Sequence, residues 1–236
     1  NNFFSILDTI APDPVYEKYV FRDKKSGKMQ IMVRESPFDM GKGKSWDSLP
    51  CTEITKTDVK SFDITETDND VYTVFFSYLD GYPIQEDYAL KLQAAEAMQD
   101  GSLSYDKEKF GIYGYRPLNV HFNGYAKIAG EEDNSTQTVL QKLNERLCEW
   151  YSKLPDMLYG TITIVAKDEN MPETGEKIRF MGGEFYVEGV EHKWQNGGNT
   201  EITLMVSRGG IYNNGNFEKF DEISQKYRMI ETNVER

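Results

Sequence analysis

The chain has 236 residues, enough to bury a substantial core as one large domain or two small ones. Its 39 Asp and Glu against 27 Lys and Arg give a formal net charge of −12. That field repels phosphate backbones and argues against direct, sequence-specific nucleic-acid recognition. No run of 18 or more apolar residues and no signal-peptide pattern occurs, so neither membrane insertion nor export is expected.

Strand-like runs fill the first 80 residues. Val15–Phe21, Met29–Arg34 and Val71–Leu79 are rich in β-branched and aromatic residues, and Lys24-Lys25-Ser26-Gly27 predicts a hairpin loop between the first two. Val71–Leu79 is apolar on both faces, which points to a barrel interior or a central position under a helix. Pro83–Gln99 has helix-forming composition. Ser102–Asn119 is a glycine- and tyrosine-rich connector, expected to be too irregular for a core element.

The clearest helix is expected over 133–153. Asn134, Ser135 and Thr136 offer caps, Val139, Leu140, Leu143, Leu147, Trp150 and Leu154 form one stripe, and Pro155 ends it. Strand signals return in Thr161–Ala166, Lys177–Phe180 and from Glu184 onward, with Gly182-Gly183 as a tight turn. At the end, Phe217, Phe220, Ile223, Tyr227 and Ile230 predict an amphipathic helix that packs on its own domain or on a neighbour.

The segment Phe185–Gly209 carries the most information. Inward residues are Phe185 and Val187 before Gly189, then Val190 and Trp194 after it, so the phase slips by one residue. A glycine at such a slip marks a β-bulge. Gln195–Asn199 forms the turn, and the return strand keeps one phase through Ile202, Leu204 and Val206.

Catalytic and ligand-binding patterns fail on spacing. Gly41-Lys42-Gly43-Lys44-Ser45 lacks the first glycine of a phosphate-binding loop, because Phe38 stands there, and reads as a flexible lysine-bearing loop. His121 and His192 are the two histidines, and neither has a ligand at helical metal-binding spacing. His192 is expected beside Trp194 as a structural group. Glu131-Glu132-Asp133, Asp68-Asn69-Asp70 and Asp168-Glu169-Asn170 do not fit a calcium loop and read as solvated loops. Cys51 and Cys148, far apart and outside any C-x-x-C, make no disulfide scaffold and fit a reducing cytoplasm. No Gly-x-Ser-x-Gly elbow occurs, and neither metal nor cofactor is expected. Tyr105, Phe110, Tyr113, Tyr115 and Arg116, in the connector, are candidate interface residues. The chain begins Asn1-Asn2 without methionine, which suggests trimmed or missing N-terminal residues.

Three segments resemble a known family. Tyr186, Val187, Gly189, Val190, His192, Trp194, Thr200, Thr203, Leu204, Val206, Arg208 and Gly209 are similar to the closing hairpin of late-control-protein-D-like baseplate hubs of contractile-tailed phages, related to the base of type VI secretion spikes. Arg34, Pro37, Phe38, Trp46 and Leu49, with Ile54, Asp58, Val59, Ser61 and Asp68 after them, resemble the N-terminal region of such hubs. Tyr113-Gly114-Tyr115-Arg116-Pro117-Leu118 is the third match. In this resemblance Gly189, His192, Trp194, Arg208 and Gly209 shape a barrel wall.

The order of elements predicts an α+β, mainly β chain: two small antiparallel β-barrels bridged by an α/β segment. The expected division is an N-terminal barrel over 1–82, a helical connector over 83–155, a second barrel over 156–210 and a helical tail over 211–236. The resemblance implies a non-enzymatic homotrimeric ring joining a six-fold tail tube to a three-fold central spike, among other baseplate proteins. It also implies a place in the virion tail, with assembly in the bacterial host cytoplasm. A tail-associated cell-wall hydrolase module or a monomeric β-rich binding domain are the alternatives. The hydrolase requires a clustered carboxylate pair or metal site, and the binding domain requires a monomer.

Overall fold

The structure is a computed structural model that describes residues 3–11, 13–37, 44–66, 70–79, 103–122, 136–166, 171–194, 196, 198, 200–213 and 216–220. The chain is mainly β, with a few helices. It divides into two compact units built from interleaved segments. The first comprises Asn1–Glu17, Arg34–Gly41 and Asn69–Leu154, the second Lys18–Val33, Lys42–Asp68 and Pro155–Arg236. The chain passes between them inside one hairpin, β1 (Tyr16–Arg22) and β2 (Met29–Glu35).

In the first unit, β5 (Val74–Leu79) is the central strand of three. It pairs antiparallel with β6 (Leu103–Tyr105) and parallel with β7 (Pro117–Phe122). Val74, Phe75 and Phe76 are buried, as the two-sided apolar pattern of the sequence requires. Helix α4 (Thr136–Tyr151) supplies Leu143 and Leu147 to the cluster around Phe75 and Val120. One polar pair is sealed in this contact: Ser77 Oγ donates to Asn144 Oδ1 at 2.6 Å, both residues being buried. The central position under a helix is therefore the outcome for β5.

The supposed connector is regular. Asp106 caps helix α3 (Lys107–Tyr113) by accepting from Lys109 N at 3.0 Å, and Gly114 at φ 72° ends it with its N–H on Phe110 O. A three-residue strand and a seven-residue helix are too short to establish a period, which is why the sequence shows only irregularity. Thr73 Oγ1 donates to Gly114 O at 2.7 Å and accepts from Arg116 N at 3.0 Å, fixing the turn from α3 into β7.

The second unit holds the larger sheet, of seven strands. Its order is β3 (Cys51–Ile54), β9 (Lys177–Phe180), β10 (Gly183–Lys193), β11 (Glu201–Asn213), β8 (Leu158–Val165) and β4 (Val59–Thr65), with β12 (Asn216–Glu218) added to β11. Its pairs are antiparallel except β3 with β9. Strands β3 and β4, expected in a separate N-terminal barrel, are instead paired into the sheet of the closing hairpin. Pairing across 94 to 126 residues leaves no local trace, so sequence order alone suggests a serial arrangement.

This sheet curls into a half-barrel. Laid flat, β9 and β4 would be about 19 Å apart, four strand spacings of roughly 4.8 Å. Yet the rings of Phe62 on β4 and Phe180 on β9 meet edge-to-face at 5.5 Å. The concave side is filled by Ile162, Ile164, Ile178, Phe180, Phe185, Val187, Ile202, Leu204 and Val206. The turn Met181-Gly182 joining β9 to β10 has positive φ at both residues, 52° and 90°, matching the strand twist of a two-residue hairpin.

Other expectations fall differently. Phe217 and Glu218 are strand β12, paired with β11, so the helical reading of the tail fails at its first residues. Chain order begins with helix α1 (Phe3–Ile10), and helix α2 (Lys44–Asp47) begins at Lys44 and Ser45, where a flexible loop is expected. The Pro83–Gln99 helix, Asn134 and Ser135, residues 221–230, and the acidic runs 131–133 and 168–170 lie outside the described residues, as do Asp68 and Asn69.

Candidate functional site

The bulged hairpin is present, and its phase slip lies where the alternation places it. Val187 pairs with Val206, but Gly189 pairs with Met205, so Glu188 is the extra residue. Beyond the slip, Val190 and His192 lie opposite Leu204 and Ile202. Trp194 does not point into the core: it is 71% exposed beyond the strand end. His192 is exposed as well, so neither acts as a buried group of the barrel wall.

A second irregularity leaves no mark in the alternation of the sequence. The β11 register with β8 breaks between Val206 and Gly209, and the register with β10 breaks between Glu184 and Tyr186. Arg208 stands at this break with φ 56°, so β11 does not keep one phase to its end. The guanidinium carbon lies 5.1 Å from the Tyr186 ring centroid, and Nη2 is 3.6 Å from Glu188 Oε1. The Arg208 carbonyl accepts from Tyr212 Oη at 2.7 Å. Gly209 comes next because space demands it: a Cβ there would stand 2.2 Å from Phe185 Cε1 and 2.9 Å from Leu158 Cβ.

Around this bulge lies the most organised polar cluster among the described residues. Trp46, from α2, is 2% exposed and stacks on Tyr212 at 4.0 Å between ring centroids. Its indole N–H donates to Glu184 Oε2 at 2.8 Å. Lys177 Nζ reaches the same oxygen at 2.8 Å, and Arg179 Nη2 reaches Oε1 at 2.7 Å. Lys177 Nζ is also 5.6 Å from the Trp46 ring centroid. Burial pushes the Glu184 carboxyl up, but hydrogen bonds from Lys177, Arg179 and Trp46 outweigh it and hold the group below its ordinary value. Burial raises the Tyr212 phenol.

The chemistry of this cluster is structural. The carboxylate is saturated by three donors, and it fixes Trp46 and therefore α2 against β9 and β10. Glu184, Lys177, Arg179 and Tyr212 belong to no motif of the sequence. A signal for them exists all the same: the Met181-Gly182 turn sets the pairing of Arg179 with Glu184, a lone carboxylate in an apolar run.

Two surfaces among the described residues stand out here. Among the described residues, no strand pairs with the outer edge of β3 or of β4. Between the β4 edge and the end of β9 runs a groove lined by Lys56, Val59, Lys60, Phe62, Phe180 and Met181. The second surface is on the first unit, at α3. Tyr105 and Phe110 meet edge-to-face at 6.1 Å, Arg116 sits 5.6 Å from the Tyr113 ring centroid, and Tyr115 and Ile112 are exposed. The five candidate interface residues are thus brought to one short helix and its flanks. Phe110 and Tyr113 are half-buried rather than free.

No group of three or more His, Cys, Asp or Glu that could hold a metal ion occurs among the described residues. Both cysteines are free thiols, and Cys148 is pushed up to about 12 by burial and by Asp106 and Glu149. No described helix is long and apolar enough to cross a membrane.

No family model and no curated protein sequence matches the chain. Among solved structures, it is similar to the tail protein from Neisseria meningitidis MC58, with a TM-score of 0.42 and 10% identity over 88% of this chain and 54% of that one. It is also similar to the 43 kDa tail protein of prophage MuSo2 from Shewanella oneidensis, with a TM-score of 0.38 and 13% identity over 81% of this chain and 50% of that one. The chain thus spans about half the length of each of these two structures.

Proposed function

We propose that this chain is a structural component of a phage tail, without catalytic activity, acting as the baseplate hub of a contractile tail or related injection apparatus. The observation that carries the reading is the meeting of its resemblance motifs. Trp46 of the N-terminal pattern lies 6.5 Å, ring to ring, from Tyr186 of the closing hairpin, which is itself covered by Arg208 of the same motif. Residues separated by 140 positions or more in a family pattern are expected to converge if the pattern describes one packed unit. The half-barrel adds support, because two strand edges that no described strand pairs suit a protein completed by neighbours.

In this role three copies form a closed ring between the six-fold tail tube and the three-fold spike, alongside other baseplate proteins. The half-barrel of the second unit serves as the barrel-like element of each copy. The ring assembles in the bacterial host cytoplasm and resides in the virion tail. A net charge of −12 lets DNA pass an acidic lumen without adhering. Electron microscopy of the purified protein tests the arrangement: three-fold rings with an open centre are expected, and isolated compact particles would refute it. A peptidoglycan-release assay should give no lysis, and clear lysis would move the function to a cell-wall hydrolase.

A further inference from the structure

The β1–β2 hairpin is built inside out. Asp23 N donates to Lys28 O at 2.9 Å, and Ser36 N donates to Val15 O at 2.8 Å. Both bonds belong to one unbroken antiparallel register, which places Val20 opposite Ile31, Lys18 opposite Val33 and Arg22 opposite Met29. Directly opposed residues share a face, so these six residues form one side of the ribbon. The other side carries Glu17, Tyr19, Phe21, Gln30, Met32 and Arg34.

That second side is the seated one. The Tyr19 ring lies over Gly175, where a Cβ would stand 2.0 Å from Tyr19 Oη, and Lys24 Nζ is 3.0 Å from Glu176 Oε1. Arg34 pairs with Glu17 across the strands. The outward side should then be polar. Instead Val20, Met29, Ile31 and Val33 are 44%, 66%, 44% and 39% exposed. In the same register the backbone N–H and C=O groups of Met29, Ile31 and Val33 point away from β1, along an edge that no described strand pairs.

Charge indicates the occupant. Residues 16–35 hold six basic and three acidic side chains, a net of +3, in a chain whose total is −12. The hairpin is the positive pole of an otherwise strongly acidic molecule. Lys25 and Lys28 are exposed at its turn and Arg22 on its apolar face. An apolar strand with a basic rim fits an acidic protein surface, and each copy of this chain carries both halves of that match.

We propose that the outward face of the β1–β2 hairpin docks on the acidic body of a second copy of this chain. The contact joins two different patches, and with a one-third turn per copy its repetition around an axis closes the three-fold ring. This surface builds the ring of the proposed function, and its assignment rests on that reading.

The test uses the full chain with a benzophenone amino acid at position 31, irradiated in solution, together with sedimentation velocity of designed variants. Irradiation should give a two-chain product whose cross-link joins the hairpin to an acidic stretch outside residues 16–35. Ile31→Glu with Val33→Glu should weaken self-association at least about tenfold without lowering the unfolding temperature, since both residues are exposed. Lys25→Glu with Lys28→Glu should weaken it independently, and added salt should act in the same direction. If the native chain associates but neither variant does so less, and no two-chain product forms, the hairpin assignment is wrong while the ring survives. If the native chain stays monomeric at its solubility limit, both readings fall.

Discussion

The Trp46 indole N–H donates to the Glu184 carboxylate at 2.8 Å across 138 positions of sequence. That bond ties the short α2 segment to the half-barrel, with Lys177 and Arg179 completing the carboxylate's partners. Glu184→Gln would leave the Lys177 ammonium, 7% exposed, without its counter-charge. Breaking one side of such a pair costs about 3–5 kcal/mol, so the unfolding free energy should fall by roughly that amount. Replacing Lys177 by Met in the Glu184→Gln background should recover much of the loss in denaturant titrations, because Gln keeps an acceptor for the Trp46 indole and no buried charge is left unpaired. Recovery of none of it would contradict the ion-pair account.

Acid should dissolve the same cluster. The Glu184 carboxyl is held below its ordinary value in the folded chain, so its contribution is complete above that ordinary value. It is lost as pH falls through the lowered folded value. The native protein should therefore lose stability more steeply below about pH 4.5 than Glu184→Gln does. Parallel pH profiles for the two proteins would refute the assignment.

Gly209, rather than Gly189, should be the sensitive glycine of the hairpin. A Cβ at Gly209 would collide with the buried Phe185 ring, whereas at Gly189 it would meet Met205 Sδ at 3.3 Å, an end that can move. Gly209→Ala should cost about 1–3 kcal/mol by overpacking, and Gly189→Ala less than about 1 kcal/mol. Thermal unfolding of the two variants measures the order, which must not be reversed.

Cys148 should be inert toward thiol reagents at neutral pH in the folded protein, because burial pushes its thiol up to about 12. Alkylation and then mass spectrometry should find Cys148 modified after denaturation but not before. Rapid labelling of the native protein at Cys148 would mean that α4 does not pack against β5.

Much of this fold is visible in local alternation. Ile162 with Ile164, and Ile202 with Leu204 and Val206, announce strands and their buried face. The stripe through Leu143, Leu147 and Trp150 does the same for α4. Even the slip at Gly189 can be read from a single strand. What stays hidden is non-local. Nothing beside Ile54 or Phe62 says that they pair with Phe180 and Ile162, 126 and 100 residues later. Phe217 and Phe220 are three apart, a spacing that suggests a helix, yet pairing with Tyr212 makes Phe217 part of a strand. Trp194 continues the inward phase of the alternation, but the strand ends at Lys193 and leaves it in solvent. For the site, the hairpin motif is legible, while the three donors around Glu184 come together only once the sheet is assembled.

Copies of this chain that close into the proposed ring must reach a fixed mass in solution. Multi-angle light scattering across a wide concentration range measures this most directly. A closed trimer predicts convergence on three times the 27.2 kDa chain mass as concentration rises. A constant monomer mass up to the highest concentration would contradict it.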